Sequence, residues 1–284
     1  MAPHAITLST PLGTVSGIEE QGGPGLPLLV CIPGGSYNSH YFDIKGHSLI
    51  AAAHEAGFSI VALDRPGYQG SDPLKGDITF AKNAAVLDAA VTELWEQYAD
   101  TTTGVVLIGH SMGGAIAIHM ASQKHSWPLL GISATSIHTD APDQVTQAWN
   151  SIPAEAIIPF SKEQRIQFMY GPDGSYDPAV VDDAEISTDV IPVAELLEVV
   201  GPWTTDFAGL ASAVTVPVHY ALAENEALWV STDDNVSAFR DAFTASSSVT
   251  AERVLGSGHN LDHHNSSAEF HARQLQFART VRGA

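Results

Sequence analysis

An α/β fold with a mostly parallel sheet follows from two features of the chain. Short apolar runs bounded by turn residues alternate with longer amphipathic stretches. The runs are apolar throughout rather than at every second position, as strands covered on both faces require.

The first two strand candidates, Ala5–Ser9 and Thr14–Glu19, flank Pro11-Leu12-Gly13 and read as an antiparallel hairpin at the sheet edge. The buried runs are Leu28–Ile32, Ser59–Leu63, Val105–Ile108, Leu129–Ala134 and Val216–Leu222. Helical patterns lie between them. His47–Ala56 stops at Gly57. Thr79–Tyr98 carries Val86, Leu87, Ala90, Val91, Leu94 and Trp95 on one side, and Met112–Lys124 follows the third buried run. Near the end, Ser231–Ala245, Val249–Val254 and Ser266–Val281 read as helix, strand and helix.

The stretch from Ile137 to Thr205 breaks this rhythm. Ser161-Lys162-Glu163-Gln164 is a capping-box pattern ahead of Ile166, Met169 and Tyr170 at helical spacing. Gly171-Pro172 stops that helix, Asp177-Pro178 starts another, and Gly201-Pro202 is a further stop. The expected organisation is a core of residues 1–136 and 206–284 interrupted by a helical insertion, 137–205.

A chain of 284 residues suits one large domain with such an insertion. No apolar run is long enough to span a bilayer, and Met1–Pro11 lacks the basic start and apolar stretch of a secretory signal, so a cytoplasmic location is expected. The formal net charge of −20 argues against nucleic acid and anionic membrane as partners. The single cysteine, Cys31, precludes an internal disulfide and sits in an apolar strand, where a buried structural thiol is expected.

The strongest chemical signal is Gly109-His110-Ser111-Met112-Gly113, a G-x-S-x-G motif preceded by a strand and followed by a helix. That setting places a serine on a sharp turn where side chains at the flanking positions would strike backbone. It also puts the hydroxyl at a helix N-terminus, where N–H groups face developing negative charge. With this motif in this context, the chain resembles the α/β-hydrolase family over nearly its whole length. The resemblance implies an eight-stranded, mostly parallel sheet flanked by helices, a helical cap at 137–205, and a Ser–acid–His order along the chain.

Under that resemblance Ser111 is the nucleophile, and His259, in Gly256-Ser257-Gly258-His259-Asn260 after the last strand, is its base. Two acids compete. Ala223-Glu224-Asn225-Glu226 stands where the family shows G-E-x-D, which nominates Glu226. A family variant with the acid after the preceding strand nominates Asp140, and Glu226 is preferred. The oxyanion hole is expected from the backbone of Met112 and of Gly35, with Ser36 its neighbour. The loop Pro33-Gly34-Gly35-Ser36 carries proline where the family has histidine. Gly22-Gly23-Pro24-Gly25 precedes its strand and reads as a connecting turn. Asp64-Arg65-Pro66-Gly67-Tyr68-Gln69-Gly70-Ser71-Asp72 resembles a family segment whose expected role is structural, as a loop at the active-site end of the sheet.

Candidate pocket residues are Tyr37, His110, Trp149, Phe160, Phe168, Tyr170, Trp203 and Trp229. Asp262-His263-His264 lacks a second ligand group at a recognisable spacing, so neither a metal nor an organic cofactor is expected. The implied reaction is hydrolysis of a small to medium, partly apolar carboxylic ester or lactone through an acyl-enzyme. Carbon–carbon bond hydrolysis or lyase chemistry on the same triad, and a ligand receptor with this fold, stand as alternatives.

Overall fold

The structure, a computed structural model, describes residues 3–281. In chain order its strands are β1 (His4–Thr10), β2 (Gly13–Glu20), β3 (Leu28–Ile32), β4 (Ile60–Leu63), β5 (Val105–His110), β6 (Leu129–Thr135), β7 (Ile157–Ile158), β8 (Ile191–Pro192), β9 (Val218–Ala223) and β10 (Val249–Val254). The helices are α1 (Leu49–Glu55), α2 (Phe80–Tyr98), α3 (Met112–Ala121), α4 (Asp143–Asn150), α5 (Lys162–Met169), α6 (Ala179–Asp183), α7 (Val193–Val200), α8 (Pro202–Ala213), α9 (Asp233–Asp241) and α10 (Ser267–Thr280).

Eight strands form one sheet in the order β1-β2-β4-β3-β5-β6-β9-β10. The β1–β2 hairpin is antiparallel, and β2 also runs antiparallel to β4. Every later pairing in that sheet is parallel. The continuously apolar strands sit at its centre: every residue of β3, β4 and β5 is buried. Helix α3 lies against β3, β5 and β6, α2 lies against α3 and the β1–β2 hairpin, and α1 lies against β4 and α10. The alternating burial of β2 marks it as a strand nearer the edge.

Local chemistry sets the helix starts. The hydroxyls of Ser48 and Thr79 accept the N–H groups of Ala51 and Lys82 and so cap α1 and α2. In the insertion, Ser161 and Gln164 form the reciprocal capping box that opens α5. The next expected helix is shorter than Asp177–Gly201. It comprises α6, a 3-10 turn at Ala184–Ser187, the two-residue strand β8, and then α7. Gly201 ends α7, but Pro202 then occupies the first turn of α8, where its missing N–H costs nothing. Neither α4 nor α8 was expected from the sequence. Helix α8 runs through residue 205 and packs against α3, so this part of the insertion is built into the core.

Cys31 is fully buried in β3. Desolvation, reinforced by the negative charge of Asp262, pushes its thiol well above the ordinary range, leaving no reactive thiolate. A thiol-titrating disulfide reagent should therefore find no reactive group in the native protein and one after denaturation.

Candidate active site

Ser111 joins β5 to α3 in a left-handed backbone conformation, with φ 52° and ψ −124°. A turn this sharp brings β5 and α3 into contact across the serine. A Cβ on Gly109 would lie 2.3 Å from the Gly113 carbonyl oxygen, and one on Gly113 would lie 2.0 Å from that of Ile32. Both glycines are required by backbone packing, and the strain at Ser111 is what lifts its side chain clear of the strand. Behind it, the Ser111 N–H donates to Thr135 O at 2.7 Å, which ties the turn to β6.

His259 lies on the loop after β10 and opens onto the same cavity as Ser111. Its Nδ1 is hydrogen-bonded to both carboxylate oxygens of Glu226, at 3.0 and 2.9 Å, and the two side chains are buried. A carboxylate only accepts, so Nδ1 carries the hydrogen and Nε2 presents a lone pair, the tautomer a general base needs. The loop is held on two sides. The Ser136 hydroxyl donates to the His259 carbonyl at 2.6 Å, and the Asn260 N–H donates to Met169 O of the cap at 2.8 Å.

The other two acids face elsewhere. Glu224 binds Arg253 and the Gly256 N–H. The Asp140 carboxylate is exposed and accepts from Asn235 Nδ2 at 3.0 Å, at the start of α9. The structure thus pairs His259 with Glu226 and not with Asp140.

Gly34, Gly35 and Met112 surround the serine. The position a Gly34 Cβ would take lies 2.9 Å from Ser111 Cβ, and that of Gly35 lies 2.8 Å from Met112 Sδ. Ser36 has a positive φ of 60°, and its carbonyl accepts the Asp189 N–H at 2.8 Å. Gly35 and Met112 line the cavity that holds Ser111, and Ser36 lies outside its lining.

The cavity over Ser111 leaves about 20 Å³ of free space, room for about one water. Tyr37, His110, Trp149, Phe160 and Trp229 line it, together with the unforeseen Met169, Ile191, Leu196, Val199 and Leu228. Leu196 and Val199 were legible as an apolar stripe on α7 once that helix is placed. Three candidates lie outside the lining. Trp203 is core: its indole donates to His138 O at 2.8 Å and packs on Phe80 and Phe207. Tyr170 packs on Tyr176, His263 and His264. Phe168 sits behind Phe160, edge to face at 6.3 Å.

His110 is fully buried, stacked on Tyr41 at 4.4 Å and edge-on to His259 at 5.0 Å. Desolvation and the neighbouring His259 hold its pKa well below the usual imidazole value, so it stays neutral. The triplet after the base has separate structural duties. His264 Nε2 accepts N–H groups from Gly171 of the cap and Gly258 of the base loop, while its Nδ1 donates to Asn260 O. His263 Nε2 donates to Tyr41 O at 3.0 Å. Asp262 accepts from Tyr41 and His271.

These features define a class: a serine and a carboxylate-held histidine at the carboxyl ends of a parallel sheet, beneath a cap. The family model described as the alpha/beta hydrolase family matches residues 29–273, and the chain belongs to that family. It is 32% identical to protein phosphatase methylesterase 1 of Bos taurus over 120 residues, which are 40% of this chain and 29% of that protein. The chain thus spans under a third of that relative's length. A carboxyl esterase from Bacillus coagulans superposes with a TM-score of 0.75 at 17% identity, covering 99% of each chain. An esterase from Exiguobacterium antarcticum superposes with a TM-score of 0.71 at 14% identity, covering 96% of this chain and 99% of that one. At such identities the two structures show a shared fold. No helix among the described residues is long and apolar enough to cross a membrane.

Burial lowers His263 and His264 to about 4, from 6.5. The unfolded chain therefore binds more protons than the folded one between these values, and stability falls as pH drops from about 6.5 towards 4. Thermal unfolding followed by circular dichroism should show the melting temperature steady above pH 7 and declining through that window. Replacing His264 with glutamine should flatten part of the decline.

Proposed function

We propose that the protein is a serine esterase or lactonase that cleaves small to medium, partly apolar carboxylic esters through an acyl-enzyme on Ser111. The observation that carries this reading is the pairing of the strained Ser111 turn with His259, whose ring is fixed by the buried Glu226, across one cavity.

His259 Nε2 takes the Ser111 proton as Oγ bonds to the substrate carbonyl carbon. The carbonyl oxygen becomes an oxyanion, received by the N–H groups of Gly35 and Met112. As the intermediate collapses, the imidazolium returns its proton to the departing alcohol oxygen and Ser111 keeps the acyl group. Water then repeats the sequence: His259 accepts its proton, the hydroxyl bonds to the acyl carbon, and Ser111 leaves with the proton restored. Glu226 stabilises the imidazolium in both halves. The lining residues Met112, Trp149, Phe160, Leu196, Val199, Leu228 and Trp229 are uncharged, which favours an apolar acyl group over a charged one.

Ser111→Ala should fold as the wild type and lose roughly 10³-fold or more in turnover across a panel of esters and lactones. A fluorophosphonate should label the wild type at Ser111, as read by peptide mass spectrometry. A folded sample that takes no label would remove Ser111 as nucleophile.

Glu226→Gln keeps the shape but offers His259 an amide in place of the carboxylate. Turnover should fall steeply, on the scale of the roughly 10⁴-fold loss an amide causes in a protease triad. Asp140→Asn should cost less than about tenfold, since among the described residues its carboxylate accepts from Asn235 and does not reach His259. The opposite ranking in steady-state rates would move the acid to the loop after β6.

A further inference from the structure

The loop after β4 meets the cap in a buried ion pair that the steps above leave unused. Arg65 and Glu195 of α7 are both fully buried. Arg65 Nη1 and Nη2 donate to Glu195 Oε1 and Oε2, each at 2.9 Å. The Tyr68 hydroxyl donates to Glu195 Oε2 at 2.8 Å, and its ring lies 4.3 Å from the guanidinium carbon. Nη2 also donates to the Gly34 carbonyl, at 3.2 Å.

The Gly34 carbonyl shares a peptide group with the Gly35 N–H. The unit is planar and trans, so its C=O and N–H point in opposite directions and rotate together. A cationic donor on the oxygen fixes that rotation. It also draws electron density towards the oxygen, which makes the N–H a stronger donor. We propose that Arg65, held in place by Glu195 of the cap, is the positioning residue that aims the Gly35 N–H at the oxyanion. Seating of the cap and stabilisation of the transition state are thereby one event. The proposal rests on the assignment of Ser111 as nucleophile and Gly35 as oxyanion donor.

Pinning the cap would not by itself require a charge. Neutral bonds already join the same loop to the cap: Asn38 N–H to Ser187 O at 2.9 Å, Asn38 Nδ2 to Ile186 O at 3.2 Å, and Asp189 N–H to Ser36 O at 2.8 Å. A buried ion pair adds little net stability over apolar residues of the same volume. What Arg65 supplies beyond these bonds is a charged donor on the oxyanion-loop peptide.

The test compares wild type, Arg65→Lys and Glu195→Gln on p-nitrophenyl butyrate. It also measures the affinity of each for two inhibitors of matching shape. A trifluoromethyl ketone adds Ser111 and carries an oxyanion; an unreactive amide does not. A lysine cannot serve both Glu195 and Gly34 with a planar fork. Arg65→Lys should lower kcat roughly tenfold to a hundredfold, less than or comparable to outright loss of an oxyanion donor. KM should stay within about twofold, ketone affinity should fall by the same factor as kcat, and amide affinity should hold. Glu195→Gln should show a smaller loss of the same kind, and it carries the test if Arg65→Lys does not fold. A folded variant with wild-type kcat overturns the proposal, as does an equal fall in ketone and amide affinity, which marks a collapsed pocket. A wild type that neither hydrolyses esters nor takes a fluorophosphonate at Ser111 overturns the nucleophile assignment, and this proposal with it. Wild-type turnover beside an indifferent Arg65→Lys overturns this proposal alone.

Discussion

The constraint on which the rest depends is the close approach of β5 and α3 at Ser111. The chain leaves a central parallel strand and enters a helix within one residue, so the strand carbonyls, the helix start and the neighbouring strand β3 crowd a single point. Gly109 and Gly113 admit that crowding because a Cβ at either would overlap backbone atoms. The turn then does two things at once. It presents a hydroxyl to the cavity at the end of the sheet, at the start of α3, where a helix start favours negative charge. The loop after β3 can reach the same point only because β3 pairs directly with β5, Ile32 beside Gly109.

Around this point, core and cap are interleaved rather than stacked. The loop after β3 bonds to cap residues on its outer side, and the His259 loop bonds to Met169 and, through His264, to Gly171. One neutral imidazole therefore serves both the cap and the base loop, and it can do so only while Nε2 is unprotonated. The acid that His259 does not contact has a structural office: Asp140 receives Asn235 at the mouth of α9 while its carbonyl receives Val230 N–H.

Much of the core was legible in the sequence because its strands are continuously apolar and bounded by turn residues, a pattern that burial on both faces imposes. Each of the eight expected sheet strands has its counterpart in the structure, with ends displaced by a few residues, as at Ile60 and Val218. Ser111 and His259 were legible because close backbone packing restricts the motif around each. The cap was less so. Its elements are short, and α7 and α8 adjoin at Gly201-Pro202, a pair that reads equally as an end and as a beginning. The aromatics misled for a related reason: Trp203 and Tyr170 are large and buried, but nothing in their spacing tells a core-facing ring from a cavity-facing one. The Arg65–Glu195 pair was invisible since its partners are 130 positions apart and no local pattern links them.

A resting cavity with space for about one water also shapes how fast the protein meets its ligands. A ligand larger than one water fits only where the aromatic and aliphatic lining gives way, so association draws on the fraction of time it stands apart. Measured affinities and bimolecular constants are scaled down by that open fraction, whatever the intrinsic fit. Bulk at the cap then acts first on the arrival of a ligand and only second on its chemistry.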